Sequence, residues 1–215
     1  MQLKIPKVDD FEVTGRGEAK AWQAAEWAPL ARVGKGGATY ATRAKVVYSA
    51  TGLYFLVECE DRRLTATMTR DGDDIYNEDV VEVFLWPDES QPLYFEYEIS
   101  PLGVELPILV PNQNGTFFGW LPWHYEGERQ TRRATSVRGG PKASGAAVEG
   151  WTAEFFIPFA LFKGLGNVPP RSGTRWRGNI YRIDYDEKPA SHWEWTPMDG
   201  PSFHNFRQFG VMIFA

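Results

Sequence analysis

The 215-residue chain carries 23 Lys and Arg against 28 Asp and Glu, and its net charge of −5 argues against a surface built to neutralise nucleic-acid phosphates. A hydrophobic fraction of 43% and a charged fraction of 24% exclude a disordered, collagenous or coiled-coil chain and suit one core; no apolar run approaches the roughly 20 residues that cross a bilayer. Nine Trp, nine Tyr and 14 Phe exceed the ordinary needs of such a core and point to stacking surfaces for flat apolar ligand faces.

At the N-terminus, Met1-Gln2-Leu3-Lys4-Ile5-Pro6 lacks the basic-then-apolar pattern of a secretory leader, which leaves a cytoplasmic chain or a mature form with its leader removed. Residues 19–27 pattern as a short helical turn. Gly34-Lys35-Gly36-Gly37 has neither phosphate-loop spacing nor a following Lys-Ser/Thr and reads as a plain loop. Strands are predicted over 44–49 and 53–60, parted by the turn Ala50-Thr51-Gly52. Cys59 lies in the second, an apolar run; as the lone cysteine it makes no internal disulfide and reads as a buried small hydrophobe. Asp71-Gly72-Asp73-Asp74 opens a twelve-residue window closing at Glu82. Ile75 and Tyr76 stand there where a helix-loop-helix calcium site needs an oxygen ligand and a glycine, so only a loop-type calcium site using Asp71, Asp73 or Asp74 stays open.

The most informative stretch follows, Tyr76-Asn77-Glu78-Asp79-Val80-Val81-Glu82-Val83-Phe84-Leu85. Alternation over the strand 80–86 puts Val81, Val83 and Leu85 on one face and Val80, Glu82, Phe84 and Trp86 on the other. Glu82 thus sits among hydrophobic neighbours, and because an unpartnered neutral polar group there already costs roughly 2–7 kcal/mol, protein or ligand must satisfy it. The strand 93–100 alternates likewise, Phe95, Tyr97 and Ile99 against Tyr94, Glu96 and Glu98. Pairing across the loop 87–92 would gather Glu82, Glu96 and Glu98 on one concave surface, where they repel unless cations or hydroxyl donors intervene. Arg182, on a strand predicted over 178–185, is the natural compensating cation; the alternative is a buried Arg–Glu pair with no ligand.

Further strands are predicted over 117–125, 131–137, 151–157 and 208–214, with a helical turn at 159–162 and breakers at Pro101-Leu102-Gly103 and Gly139-Gly140-Pro141. Arg129, Arg132, Arg133 and Arg138 read as a solvated hairpin. His124, His192 and His204 lack zinc-site spacing, and no Gly-x-Ser-x-Gly elbow occurs. Late in the chain comes an aromatic cluster, His192-Trp193-Glu194-Trp195 and then Pro201-Ser202-Phe203-His204-Asn205-Phe206. Trp193 and Trp195 share a face if extended. Tryptophans beside a charged strand suit a carbohydrate, whose pyranose C–H faces stack on indole while its hydroxyls seek carboxylate, Arg and Asn; the alternative is a tryptophan plugging the end of the fold. The rhythm of short strands gives the fold class: all-β, an antiparallel β-sandwich of jelly-roll or immunoglobulin-like type with few short helices, as one domain over 1–215.

With these residues assembled, the chain resembles the family 9 carbohydrate-binding modules and their family-9-like relatives. The resemblance rests on residues 44–55, Asp61, the aromatic-x-x-Asp-x-Val-Glu segment Tyr76-Asn77-Glu78-Asp79-Val80-Val81-Glu82, the segment Trp151-Thr152-Ala153-Glu154-Phe155-Phe156-Ile157-Pro158, Gly178-Asn179-Ile180-Tyr181-Arg182 and Phe209-Gly210-Val211-Met212-Ile213-Phe214. It implies a sandwich that binds sugar without catalysis, two aromatics clamping a mono- or oligosaccharide, often at a chain end. Tyr76 falls where the family often has a clamping Trp, Glu82 where it has a hydrogen-bonding Glu, and Trp193 or Trp195 where the second clamp would come. The expected ligand-binding set is Tyr76, Glu82, Glu98, Arg182, Trp193 and Trp195, with carbohydrate as partner, neither nucleic acid nor membrane, no cofactor, and a structural calcium ion as in many members. Three other readings stand beside it: a haem-binding electron-transfer sandwich using Met68, Met198 or His204; a glycoside hydrolase with paired glutamates; and a structural or adhesion sandwich with no small ligand.

Overall fold

A computed structural model describes residues 1–34, 37–122, 124–200 and 202–215; Lys35 and Gly36 of the glycine-rich loop, Trp123 in the predicted strand 117–125, and Pro201 of the aromatic cluster lie outside the described residues. The strands are β1 (Gln2–Ile5), β2 (Ala28–Pro29), β3 (Ala31–Arg32), β4 (Thr42–Tyr48), β5 (Gly52–Glu60), β6 (Val80–Trp86), β7 (Leu93–Ile99), β8 (Glu105–Gln113), β9 (Thr116–Phe117), β10 (Arg132–Arg138), β11 (Gly150–Pro158), β12 (Arg175–Asp184), β13 (Ser191–Glu194) and β14 (Gly210–Phe214). Helix is confined to single 3₁₀ turns among the described residues, including Lys20–Ala24, Ile75–Asn77 and Phe159–Phe162. Trp22 anchors the first of them.

Two sheets form the expected all-β sandwich. The larger runs β1-β14-β12-β6-β7-β8-β9 with β13 and β3 attached beside β12; the smaller runs β10-β11-β5-β4-β2. Among the described strands neighbours pair antiparallel except β1 with β14, a parallel edge pair that was not expected. Between the sheets, Val83, Phe95 and Tyr97 of the larger meet Val46, Phe55 and Phe155 of the smaller, with the Tyr97 and Phe155 rings 4.7 Å apart. This layer is the apolar face that alternation on β6 and β7 predicted. The outer face of the smaller sheet is covered by the N-terminal segment, which is tied down at Glu154. That buried carboxylate accepts the backbone N–H groups of Thr14 (2.9 Å), Gly15 (2.7 Å) and Gly17 (3.3 Å) and the Trp22 indole N–H (2.8 Å).

Three elements depart from expectation. β8 was not among the expected strands; its Pro107 and Pro111 both lie within the ladder to β7, opposite Tyr97 and Leu93. β8 is flanked on its far side only by the short β9 and the Leu109–Trp120 bridge, and proline is tolerated on such outer strands when its missing N–H faces away from the ladder. Residues 117–125 were expected as a strand, yet among the described residues only Phe117, in β9, and Trp120, bridged to Leu109, pair, and Phe118, Trp120 and Leu121 are left exposed. The arginine hairpin is less solvated than expected, since Arg133 reaches the fully buried Glu105 at 2.8 Å and Asp71 at 2.7 Å, and Arg132 lies 4.1 Å above the Phe156 ring.

Candidate functional site

The outer face of the larger sheet builds the site. Its rows cross β12, β6, β7 and β8: Tyr181 lies opposite Glu82, Glu82 opposite Glu98 and Glu98 opposite Leu106, while two residues along come Asn179, Phe84, Glu96 and Ile108. Aromatics close one end, where Phe84, Tyr94 and Tyr181 lie under Phe206 and Phe209. Aliphatics close the other, where Val80, Ile183 and Leu106 lie under Ile75. Between them, Glu82, Glu96 and Glu98 floor a cavity of about 710 Å³, a size that suits a small-molecule ligand. Its rim carries Asp74, Tyr76, Phe117, Leu121, His192, Phe203 and His204.

Tyr76 owes its place to its neighbours in sequence. Ile75 is fully buried and anchors the 3₁₀ turn, the Tyr76 carbonyl accepts the Tyr185 hydroxyl at 2.9 Å, and the ring is left 42% exposed at the cavity mouth. The next two carboxylates are structural. Glu78 accepts the N–H groups of Thr67 (2.6 Å) and Met68 (3.0 Å) together with the Thr67 hydroxyl, and Asp79 accepts those of Thr65 (2.6 Å) and Tyr185 (2.8 Å), which fixes the loop that carries Tyr76. Phe203 stacks on Tyr181 at 4.1 Å and Phe117 on His204 at 4.0 Å, giving the rim two braced rings besides Tyr76.

The three glutamates are nearly inaccessible, Glu98 only 1% exposed, and Glu96 Oε2 and Glu98 Oε2 have no hydrogen-bond partner. Burial, then the repulsion of Glu96, raises the Glu82 carboxyl well above the ordinary range; burial, then Glu82 and Glu96, does the same to Glu98; burial pushes Glu96 up to about 8. Like charges directly opposite on paired strands repel, and this repulsion adds to burial in favouring the protonated carboxyls. Neither histidine compensates it: burial drives His204 down to about 4, and burial and the charge of Arg32 lower His192. His204 Nδ1 instead faces the Tyr94 hydroxyl at 2.7 Å, with Glu96 Oε2 farther off at 3.9 Å.

Of the six residues expected to bind ligand, the structure brings Tyr76, Glu82 and Glu98 to this cavity and directs the other three elsewhere. Arg182 follows Tyr181 and so projects through the opposite face, into the core. There it is 0% exposed, with Nη2 2.6 Å from Asp184 and 3.3 Å from Asp61, and Nη1 donating to the Glu60 carbonyl (2.6 Å) and the Thr42 hydroxyl (3.0 Å). The expectation that it compensates the glutamates is therefore corrected by strand parity. Trp193 lies opposite Arg182 on the neighbouring strand, its ring 4.9 Å from the guanidinium, and Trp195 packs against Gly210; both are buried in the core, not at the cavity. Rim residues that sequence reasoning passed over are Phe117, His192, Phe203 and His204. Phe203 and His204 stood in the aromatic cluster beside the tryptophans; Phe117 stood at the start of the expected strand 117–125, whose first residue alone belongs to β9.

In the acidic loop Arg133 holds Asp71, Arg70 holds Asp73 at 3.2 Å, and Asp74 lines the cavity. Among the described residues, one acidic trio, Asp61, Asp184 and Asp186, brings its ligating atoms within 4.8 Å, and Arg182 already supplies positive charge to two of its members. The haem reading finds no room between the sheets, where the core is filled, and Met198 Sδ accepts the Tyr181 hydroxyl at 2.9 Å. The glycosidase reading needs two carboxyls whose proton affinities are pushed apart, whereas all three here are pushed up together. No helix among the described residues is long and apolar enough to cross a membrane.

Comparisons agree with this architecture. No curated protein matches the chain. Among solved structures, an inferred carbohydrate-binding protein from Bacteroides uniformis is 18% identical over 100% of this chain and 99% of its own, with a TM-score of 0.77. A family 9 carbohydrate-binding module from Caldicellulosiruptor kristjanssonii solved with cellotriose is 14% identical over 100% and 93%, TM-score 0.70; one from the same organism solved with glucose is 15% identical over 100% and 96%, TM-score 0.68. The model of the family described as carbohydrate family 9 binding domain-like matches residues 13–215, and the chain belongs to that family.

Proposed function

We propose that the outer-face cavity binds carbohydrate without transforming it. The observation that carries this reading is the half-exposed Tyr76 ring at the mouth of a cavity where Glu96 Oε2 and Glu98 Oε2 are buried with no hydrogen-bond partner outside the carboxyl trio itself. An apolar ring beside unspent hydrogen-bonding capacity is what a sugar needs, C–H face to one and hydroxyls to the other. Tyr76, Phe117 and Phe203 take the ring faces, and Glu82, Glu96 and Glu98 take the hydroxyls. The family is one of binding domains, and the three carboxyls are pushed up together rather than apart, unlike the acid and base of a hydrolase. Glucose and cellotriose, held by the Caldicellulosiruptor modules, are the first ligands to try.

Calorimetric titration with cellotriose tests it. Tyr76→Ala removes an exposed ring that the core does not use, so affinity falls by about tenfold or more, the weight of one aromatic stack and its buried area, while the melting temperature holds. Unchanged affinity in that variant would reject the placement of the site.

A further inference from the structure

We propose that the cavity selects an amino sugar, a glycosyl unit whose free ammonium group seats among Glu82, Glu96 and Glu98. The inference rests on the carbohydrate reading and narrows its ligand class. Asp74 and the three glutamates line this cavity, and among the described residues no Lys or Arg does. The cation that would balance them, Arg182, faces the other side of its strand and is spent on Asp61 and Asp184. Two buried oxygens, Glu96 Oε2 and Glu98 Oε2, remain without a donor. A hydroxyl offers one donor and no charge; an ammonium offers three N–H donors and a positive charge that stabilises a carboxylate of the trio once it ionises.

The walls favour a sugar amine over a bare ion. Leu106, Ile108, Val110, Phe117 and Phe203 line the same cavity and suit ring C–H faces. The glutamates, moreover, are not among the carboxylates whose ligating atoms close to within 4.8 Å, so they are too spread to wrap one metal ion. Groups facing the trio from neighbouring elements are Tyr181, Asp74, Tyr76, His192 and His204, and burial keeps both histidines neutral at neutral pH. Burial and mutual repulsion favour the protonated carboxyls, so an ammonium that pairs with an ionised carboxylate of the trio is expected to release a proton to solvent.

The intact chain is titrated by calorimetry with a β-1,4-linked glucosamine trimer, its fully N-acetylated counterpart and cellotriose, at roughly 0.15 M ionic strength, where exposed charges are screened. Two buffers of different ionisation heat report proton release. The expected result is a glucosamine trimer bound about tenfold or more tighter than either neutral trimer, with proton release for it alone. Glu96→Gln and Glu98→Gln, near-isosteric with the protonated acid, bring that preference toward unity whatever they do to affinity itself. Cellotriose bound as tightly as the glucosamine trimer overturns the amino-sugar inference and leaves the carbohydrate reading standing; no binding of any trimer removes both. A preference that survives the glutamine variants assigns it to general attraction by the net charge of −5, and millimolar calcium displacing the amine assigns the trio to a metal; either overturns the inference.

Discussion

Glu82 and Arg182 show how one residue step decides a role. They sit on adjacent, paired strands, Glu82 opposite Tyr181 and Arg182 opposite Val81, so their side chains leave opposite faces of the same sheet. Arg182 works inside. Removing one member of a buried, hydrogen-bonded ionic cluster strands the rest, so Arg182→Ala should cost about 3–5 kcal/mol in denaturant unfolding. Trp195→Ala should cost a similar amount, about 3–5 kcal/mol, by opening a cavity in the core. In both variants any loss of sugar binding should track the unfolded fraction. A Trp195→Ala protein that stays fully folded while losing ligand would return that tryptophan to the binding surface.

Elements were legible where alternation was clean. β6 and β7 were readable nearly to the residue, including which face each glutamate takes, because every second position is strongly apolar. Their pairing followed from one short loop, so the convergence of Glu82, Glu96 and Glu98 was legible as well. The destination of Arg182 was not, because parity within 178–185 separates it from Tyr181 but does not say which parity faces β6's glutamates; that depends on a pairing across nearly one hundred residues of chain. β8 was obscured by its two prolines. The second aromatic wall was obscured because Phe117 and Phe203 sit on segments with little regular structure, placed by the rings they stack on rather than by local pattern.

At the scale of the whole molecule, the unpaired acidic floor sets how stability depends on pH. The folded state holds the Glu82, Glu96 and Glu98 protons more tightly than the unfolded chain, where a Glu titrates near 4.5. Between that value and about 8, where Glu96 titrates, the native state binds more protons than the unfolded one, so stability falls as pH rises through this window. Thermal melts should therefore run a few degrees higher at pH 5.5 than at pH 8, with the gap narrowed in Glu98→Gln; a higher melting temperature at pH 8 would show the floor to be ionised and compensated. The sandwich thus accepts a destabilised outer face and keeps its compensated charges, Arg182 with its aspartates, between the sheets. The central claim, that sugar enters over β6 and β7, is tested most directly by mapping amide shifts of the isotope-labelled chain during titration with cellotriose and the glucosamine trimer. The account predicts saturable shifts concentrated at Tyr76, Glu82, Glu96, Glu98, Phe117 and Phe203; shifts centred on Trp193 and Trp195, or on the outer face of the smaller sheet, would contradict it.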